Sequence, residues 1–154
     1  MEKPEKKIIP VWILGYAILA FVLAGVISGL ASRFLNYNAD IVFLLSFTGL
    51  AALSVILGYV KYRAWRFTLR NDHVYLEHGV FIKVRSMVPY VRVQHIDTRR
   101  SILDRLLGLS KLVVYTAGSR GADVTIPGLL PERAEEMQQE LRDLAIDSED
   151  RDGV

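Results

Sequence analysis

A membrane-anchored α+β architecture is what this sequence predicts, on three observations. Two long uncharged stretches open the chain, Ile8 to Ser32 and Ile41 to Val60. Short alternating segments with turn residues begin near Trp65, and one amphipathic helical pattern closes the chain from Pro131. A helix needs roughly 20 apolar residues to cross a bilayer core, and each stretch is that long. The residues between them, Arg33 to Asp40, suffice only for a turn. Residues 8–64 therefore read as a transmembrane helical hairpin, with spans at 8–32 and 41–60, after a short N-terminus at 1–7. Residues 65–145 form one small domain, and the charged tail at 146–154 is expected to be disordered.

Charge is strongly partitioned. Residues 61–128 carry twelve basic and five acidic side chains, whereas residues 129–154 carry three basic and nine acidic ones. A basic segment directly after a membrane span suits an anionic lipid surface. The acidic final helix and the lack of a basic aromatic stripe argue against nucleic acid. The absence of cysteine excludes disulfides and thiolate chemistry. A cleaved signal peptide fits poorly, because the first apolar run is about twice the length of a signal core. Lys3, Lys6 and Lys7 precede the first span, Lys61, Arg63, Arg66 and Arg70 follow the second, and the loop has only Arg33. This bias predicts both termini in the cytoplasm of a multi-pass cell-membrane protein.

Neither span carries a charged side chain, so transport or channel chemistry within the hairpin is not expected. Gly15, Ala20, Gly25, Ser28 and Gly29 on the first span, with Gly49, Ala52, Ser54 and Gly58 on the second, permit close helix packing. Trp12, Lys61, Arg63, Trp65 and Arg66 fall at the cytoplasmic ends and are the expected interface anchors.

In the domain, Phe67 and Leu69 alternate with polar residues before an Asn71-Asp72 turn, and Val74 and Leu76 continue the alternation up to Gly79. A further strand is expected over Phe81 to Val88, ended by Pro89. Beyond it, Val91 and Val93 share one face and Ile96 falls on the other, which requires a bulge near Gln94-His95. Ser101-Ile102-Leu103-Asp104 has the form of a capping box. It opens a short helix carrying Ile102, Leu103, Leu106 and Leu107 on one side and stopped by Gly108. Leu112 to Thr116 and Val124 to Ile126 read as a hairpin around Gly118-Ser119-Arg120-Gly121. Pro131 then starts a helix with Ala134, Met137, Leu141 and Leu144 at helical spacing. Six or seven strands, a helical turn and one closing helix result.

The ordered set His78-Gly79-Val80, Val88-Pro89, Arg92-Val93-Gln94-His95-Ile96, Arg105-Leu106-Leu107-Gly108-Leu109 and Val114-Tyr115-Thr116-Ala117-Gly118 resembles the bacterial pleckstrin-homology-like (bacterial PH, YdbS-like) membrane protein family. The resemblance takes in the two spans and covers roughly residues 10–145. It implies a PH-like fold, a bent and partly open β-barrel with a C-terminal capping helix. That family often has a polar cap before the Pro-Glu of its last helix, where this chain has Leu130. Such folds bind lipids, peptides or proteins, and the fold alone does not choose among them.

No cofactor or metal is expected. His73, His78 and His95 are accounted for as turn and surface residues, although His95 and Asp97 would share a strand face if the bulge precedes them. Ser101 and Asp104 are explained by the cap, so no nucleophile or carboxylate pair is left for an enzyme. Arg92 is expected to be structural, pairing with Asp97 or another carboxylate. The remaining candidate contacts, for a headgroup or a partner, are Lys83 and Arg85 on one strand and Arg99, Arg100 and Arg105 around the capped helix.

Two functions remain open. One is a non-catalytic interaction module that recruits or assembles a membrane protein, such as a larger PH-like relative, on the cytoplasmic face. The other is a sensor of anionic headgroups. The spans contact lipid in either case, and the chain has room for self-association.

Overall fold

The computed structural model describes residues 1–117 and 124–152. The chain divides into two compact units, Ile9–Lys61 and a second made of Met1–Ile8 with Tyr62–Val154.

The first unit is the hairpin. Helix α1 spans Ile9–Leu35 and α2 spans Ala39–Ala64, both long and apolar enough to cross a membrane. Pro10 is harmless in the first turn, where its missing N–H has no helical partner. Asn36 takes φ +52 in the turn, and the Asn38 side chain accepts the Asp40 and Ile41 N–H groups at 3.0 and 3.4 Å, capping α2. Ala20, Ala24, Ser28 and Ala31 of α1 and Ser54 and Gly58 of α2 are buried. Ser28 Oγ donates to the Ala39 carbonyl at 2.6 Å, and Phe21 meets Phe43 and Phe47 edge-on. A methyl on Gly58 would lie 2.5 Å from Ile13 Cγ1, so only glycine allows this approach. Gly15, Gly25, Gly29 and Gly49 have no neighbouring atom within 4 Å of the position a Cβ would take. The expectation that these glycines pack the seam is thus corrected. Gly25 and Gly29 follow Ala24 and Ser28 by one residue, and one residue turns a helix face by about 100°.

The second unit contains six described strands in two antiparallel sheets. Strands β1 (Arg66–Leu69), β2 (His73–His78) and β3 (Val84–Pro89) form one, and β4 (Val93–Arg99), β5 (Ser110–Thr116) and β6 (Val124–Leu129) form the other. The sheets do not close into a barrel. Pro89 and a 3-10 turn at Tyr90–Arg92 end β3 and redirect the chain before β4. Strand β3 starts at Val84 rather than Phe81, since Gly79 at φ +107 begins a tight connection. The expected bulge is present, with the β4–β5 register shifting between Val93 and His95. Helix α3 (Ile102–Leu106) has the full capping box, and Gly108 follows it at φ +65. The turn expected at Gly118–Gly121 lies outside the described residues.

Helix α4 (Pro131–Asp152) closes the core. Ala134, Met137 and Leu141 are fully buried against Phe67, Val74, Leu112, Val114 and Ile126. Leu130 precedes the helix with an apolar side chain, and its carbonyl accepts the Ala134 N–H at 2.9 Å. The helix continues past Asp147, where a disordered tail was expected. Leu144 and Ala145 still pack on the core, and Ser148 Oγ donates back to the Ala145 carbonyl at 2.7 Å.

The N-terminal segment bridges the two sheets. Glu2 pairs with Phe67 of β1, and the Glu5 N–H donates to the Gly128 carbonyl of β6 at 2.6 Å. Pro4 and Ile8 are buried, with Ile8 against Gly128. Arg133 Nη2 donates to Glu2 Oε1 at 2.9 Å. That bond, foremost, raises the Arg133 pKa and keeps the guanidinium charged.

Candidate functional site

The sheet order leaves β4 with β5 as its one described ladder neighbour. A cleft of about 370 Å³ runs between β4 and α4, lined by Val93, Gln94, Ile96, Gln138, Arg142 and Ile146 among others. The bulge lies in its lining, where the β4–β5 register shifts between Val93 and His95 and Gln94 is the extra residue. Gln138 Nε2 donates to the Ile96 carbonyl at 2.7 Å, which fixes the helix to the strand edge. Arg142, one helical turn further on, stands in the same cleft.

Beside it, Asp97 Oδ1 lies 2.5 Å from His95 Nε2, and Asp97 Oδ2 lies 3.2 Å from Arg99 Nη2. The same Arg99 nitrogen donates to the Tyr115 hydroxyl at 2.5 Å. His95 and Asp97 therefore share a face, as expected once the bulge precedes them. Arg92 does not pair with Asp97. Arg92 precedes the bulge, and Arg99 is placed by the strand period on the carboxylate's face.

The other expected residues spread over separate places. Lys61 Nζ sits 4.9 Å above the Trp12 ring and 5.6 Å from that of Tyr16, so the ammonium faces two aromatic rings. Trp65 stacks on His78 with centroids 4.8 Å apart. Arg66 opens β1 and Arg63 lies in the last turn of α2. Arg85 faces Glu77 at 3.5 Å, and Arg100 Nε donates to the Leu109 carbonyl at 3.0 Å. Lys83 belongs to the β2–β3 connection and Arg105 to α3. Arg85 lies on the first sheet with Lys83 just before its strand, while Arg99, Arg100 and Arg105 flank the second, so the described residues divide between two sheets.

Ser101 and Asp104 act as the cap requires. Ser101 Oγ donates to Asp104 Oδ2 at 2.6 Å and accepts the Asp104 N–H at 3.3 Å. Burial pushes the Asp104 pKa up, but the Ser101 hydrogen bonds and the Lys111 ammonium at 3.4 Å outweigh it and hold the carboxyl below its ordinary value. His73 bonds its neighbour Asp72. Among the described residues no group of three or more His, Asp or Glu could hold a metal ion. The His95 ring lies beside that of Tyr115, with centroids 5.9 Å apart. Chemically, the cleft offers a strand edge, an amide and a guanidinium.

Two apolar spans followed by two small sheets and a closing helix define a membrane protein bearing a PH-like domain. The bacterial PH domain family matches residues 9–145, so the chain belongs to that family. The UPF0699 transmembrane protein YdbS of Bacillus subtilis (strain 168) is 30% identical over 95 residues, covering 62% of this chain and 58% of that protein. The UPF0699 transmembrane protein YdbT of the same organism is 24% identical over 100 residues, covering 60% of this chain and 20% of that protein. The match thus spans somewhat over half of one curated relative and a fifth of the other. No solved structure gives a significant match.

Proposed function

We propose that this chain is a non-catalytic module, held by two spans with both termini in the cytoplasm, that recruits or assembles a membrane protein partner through the β4–α4 cleft. The cleft carries this reading. A strand edge beside a helix accepts an extended segment, whose backbone bonds to the edge while its side chains enter the groove. Arg142 and Gln138 favour a segment with a carboxylate or carbonyl opposite them. A larger PH-like membrane protein is the favoured partner, a choice supported by the similarity to YdbT, a transmembrane protein of which the match covers a fifth.

The headgroup-sensing alternative draws less support from the site. Arg85 and Arg99 face their own carboxylates and Arg100 is bonded to a carbonyl, so three of its five candidate cations are already engaged.

Photo-crosslinking from Gln94 in the full chain, in its native membrane, tests the assignment. The expected product joins it to a membrane protein with a PH-like segment, and Arg142→Glu weakens the yield several-fold. Lipid adducts alone, or a yield indifferent to Arg142→Glu, would overturn it.

A further inference from the structure

Two apolar tips project from the domain. Between β2 and β3, Phe81 and Ile82 are 88% and 79% exposed. On α3, Ile102 and Leu106 are 79% and 76% exposed. The inward side of α3 is taken by the buried Asp104, which turns this helix's apolar residues outward rather than into the core. The first tip is tightly built. Gly79 adopts φ +107, and a Cβ there would lie 1.9 Å from the Ile82 carbonyl oxygen, so the turn admits only glycine. Exposed apolar groups of this size, rimmed by charge, mark surfaces that something covers.

The covalent chain indicates what covers them. A single residue, Trp65, separates the end of α2 from β1. Arg66 pairs with Glu77, and Trp65 stacks on His78, so the β2–β3 tip leaves from the end of the sheet where the second span arrives. In the other sheet, Ile8 immediately precedes α1 and packs against Gly128. The next residue, Leu129, pairs with Ser110, which begins β5 just after α3. Each tip therefore grows from a strand end that neighbours a residue leading directly into a span: His78 beside Trp65, and Ser110 paired with Leu129 next to Gly128 and Ile8. Each also carries a cation: Lys83 follows Ile82, and Arg105 precedes Leu106.

We propose that Phe81 and Ile82, together with Ile102 and Leu106, insert into the interface of the bilayer that holds the spans, with Lys83 and Arg105 among anionic headgroups. Apolar side chains a few ångströms deep with basic residues at the surface are the pattern of interfacial binding. Covalent tethering by two spans removes the need for high lipid affinity. The tips instead set how the domain stands on the membrane, and this holds whatever occupies the β4–α4 cleft.

The chain has no cysteine, so single labels are clean. Phe81→Cys and Leu106→Cys, each carrying an environment-sensitive fluorophore, are compared in full-length protein in anionic proteoliposomes. Met87→Cys, an exposed apolar position in the middle of β3, serves as control. Blue-shifted emission and several-fold stronger quenching by nitroxide-bearing lipids at 81 and 106 than at 87 are expected. Water-like emission at both tips would overturn the proposal. A blue shift without lipid quenching would also overturn it, and would assign the tips to a protein contact such as a second copy. Replacing the anionic lipid by phosphatidylcholine should reduce the quenching; no change would remove the cations from the proposal.

Discussion

Glu2 and Phe67 exchange both of their backbone hydrogen bonds, at 2.7 and 3.0 Å. One residue lies upstream of both spans and the other downstream, yet they meet on one domain. A chain that leaves a folded domain, crosses a membrane twice and rejoins the same domain must return to the side it left. The contact therefore supports a same-side arrangement of the termini on grounds independent of lysine and arginine counts.

The docking of the N-terminal segment depends on Gly128. At φ +68 it occupies the left-handed region, and a Cβ would sit 3.0 Å from Ile8 Cβ and 3.1 Å from Pro4 Cβ. Gly128→Val should cost about 1–2 kcal/mol from the backbone alone and loosen residues 1–8. Trypsin should then cleave faster after Lys6 and Lys7 in the full chain. Unchanged cleavage kinetics would refute this role.

Lys61, Arg63 and Arg66 follow the second span, and the positive-inside bias assigns them to orientation. Replacing all three with glutamine should produce a mixed population when a cysteine introduced near the C-terminus is probed with a membrane-impermeant maleimide. A single, unaltered orientation would mean the N-terminal lysines suffice.

Asp104 makes a pH-dependent contribution. Its folded pKa lies below the ordinary value of 3.8, despite burial, because of Ser101 and Lys111. The carboxylate's stabilisation is complete above the unfolded value and fades as pH falls through the lower folded value. Asp104→Asn should cost about 1–3 kcal/mol near neutral pH, measured by thermal unfolding in nanodiscs. The difference from wild type should shrink toward acid, and a constant difference would contradict the assignment.

Tyr90 works in the opposite sense. Burial, reinforced by the charge of Glu140, pushes its hydroxyl up to about 12, while the O–H donates to the Arg70 carbonyl at 2.6 Å. An unfolded tyrosine ionises near 10.0, so the folded state loses relative stability as pH rises from there to about 12. Tyr90→Phe should cost about 1 kcal/mol at neutral pH and remove that alkaline decline. A variant as stable as wild type at pH 7 would show that the bond contributes nothing.

Local patterns were legible wherever one short stretch carries its own constraint. The capping box at Ser101 and Asp104 needs four residues, and the bulge before His95 follows from Val93 and Ile96 facing opposite ways. The closing helix was equally readable from Ala134, Met137 and Leu141. The orientation of α3 was not, since its apolar residues look like a core face until the buried Asp104 shows which side points in. The β4–α4 cleft was also hidden, because Gln94 and Arg142 are far apart in the chain and neither is distinctive alone.

By itself, the sequence determined the two spans, the order of the elements and the PH-like class. The spans and the element order rest on hydrophobic length and period, which neighbouring residues encode together, whereas the PH-like class rests on the motif resemblance running from His78 to Gly118. Only the tertiary structure decided that residues 1–8 belong to the C-terminal domain, that the sheets stay open, and that Phe81 and Leu106 face outward. These depend on which distant surfaces meet, and backbone pairing of the Glu2–Phe67 kind leaves no mark on side-chain identity.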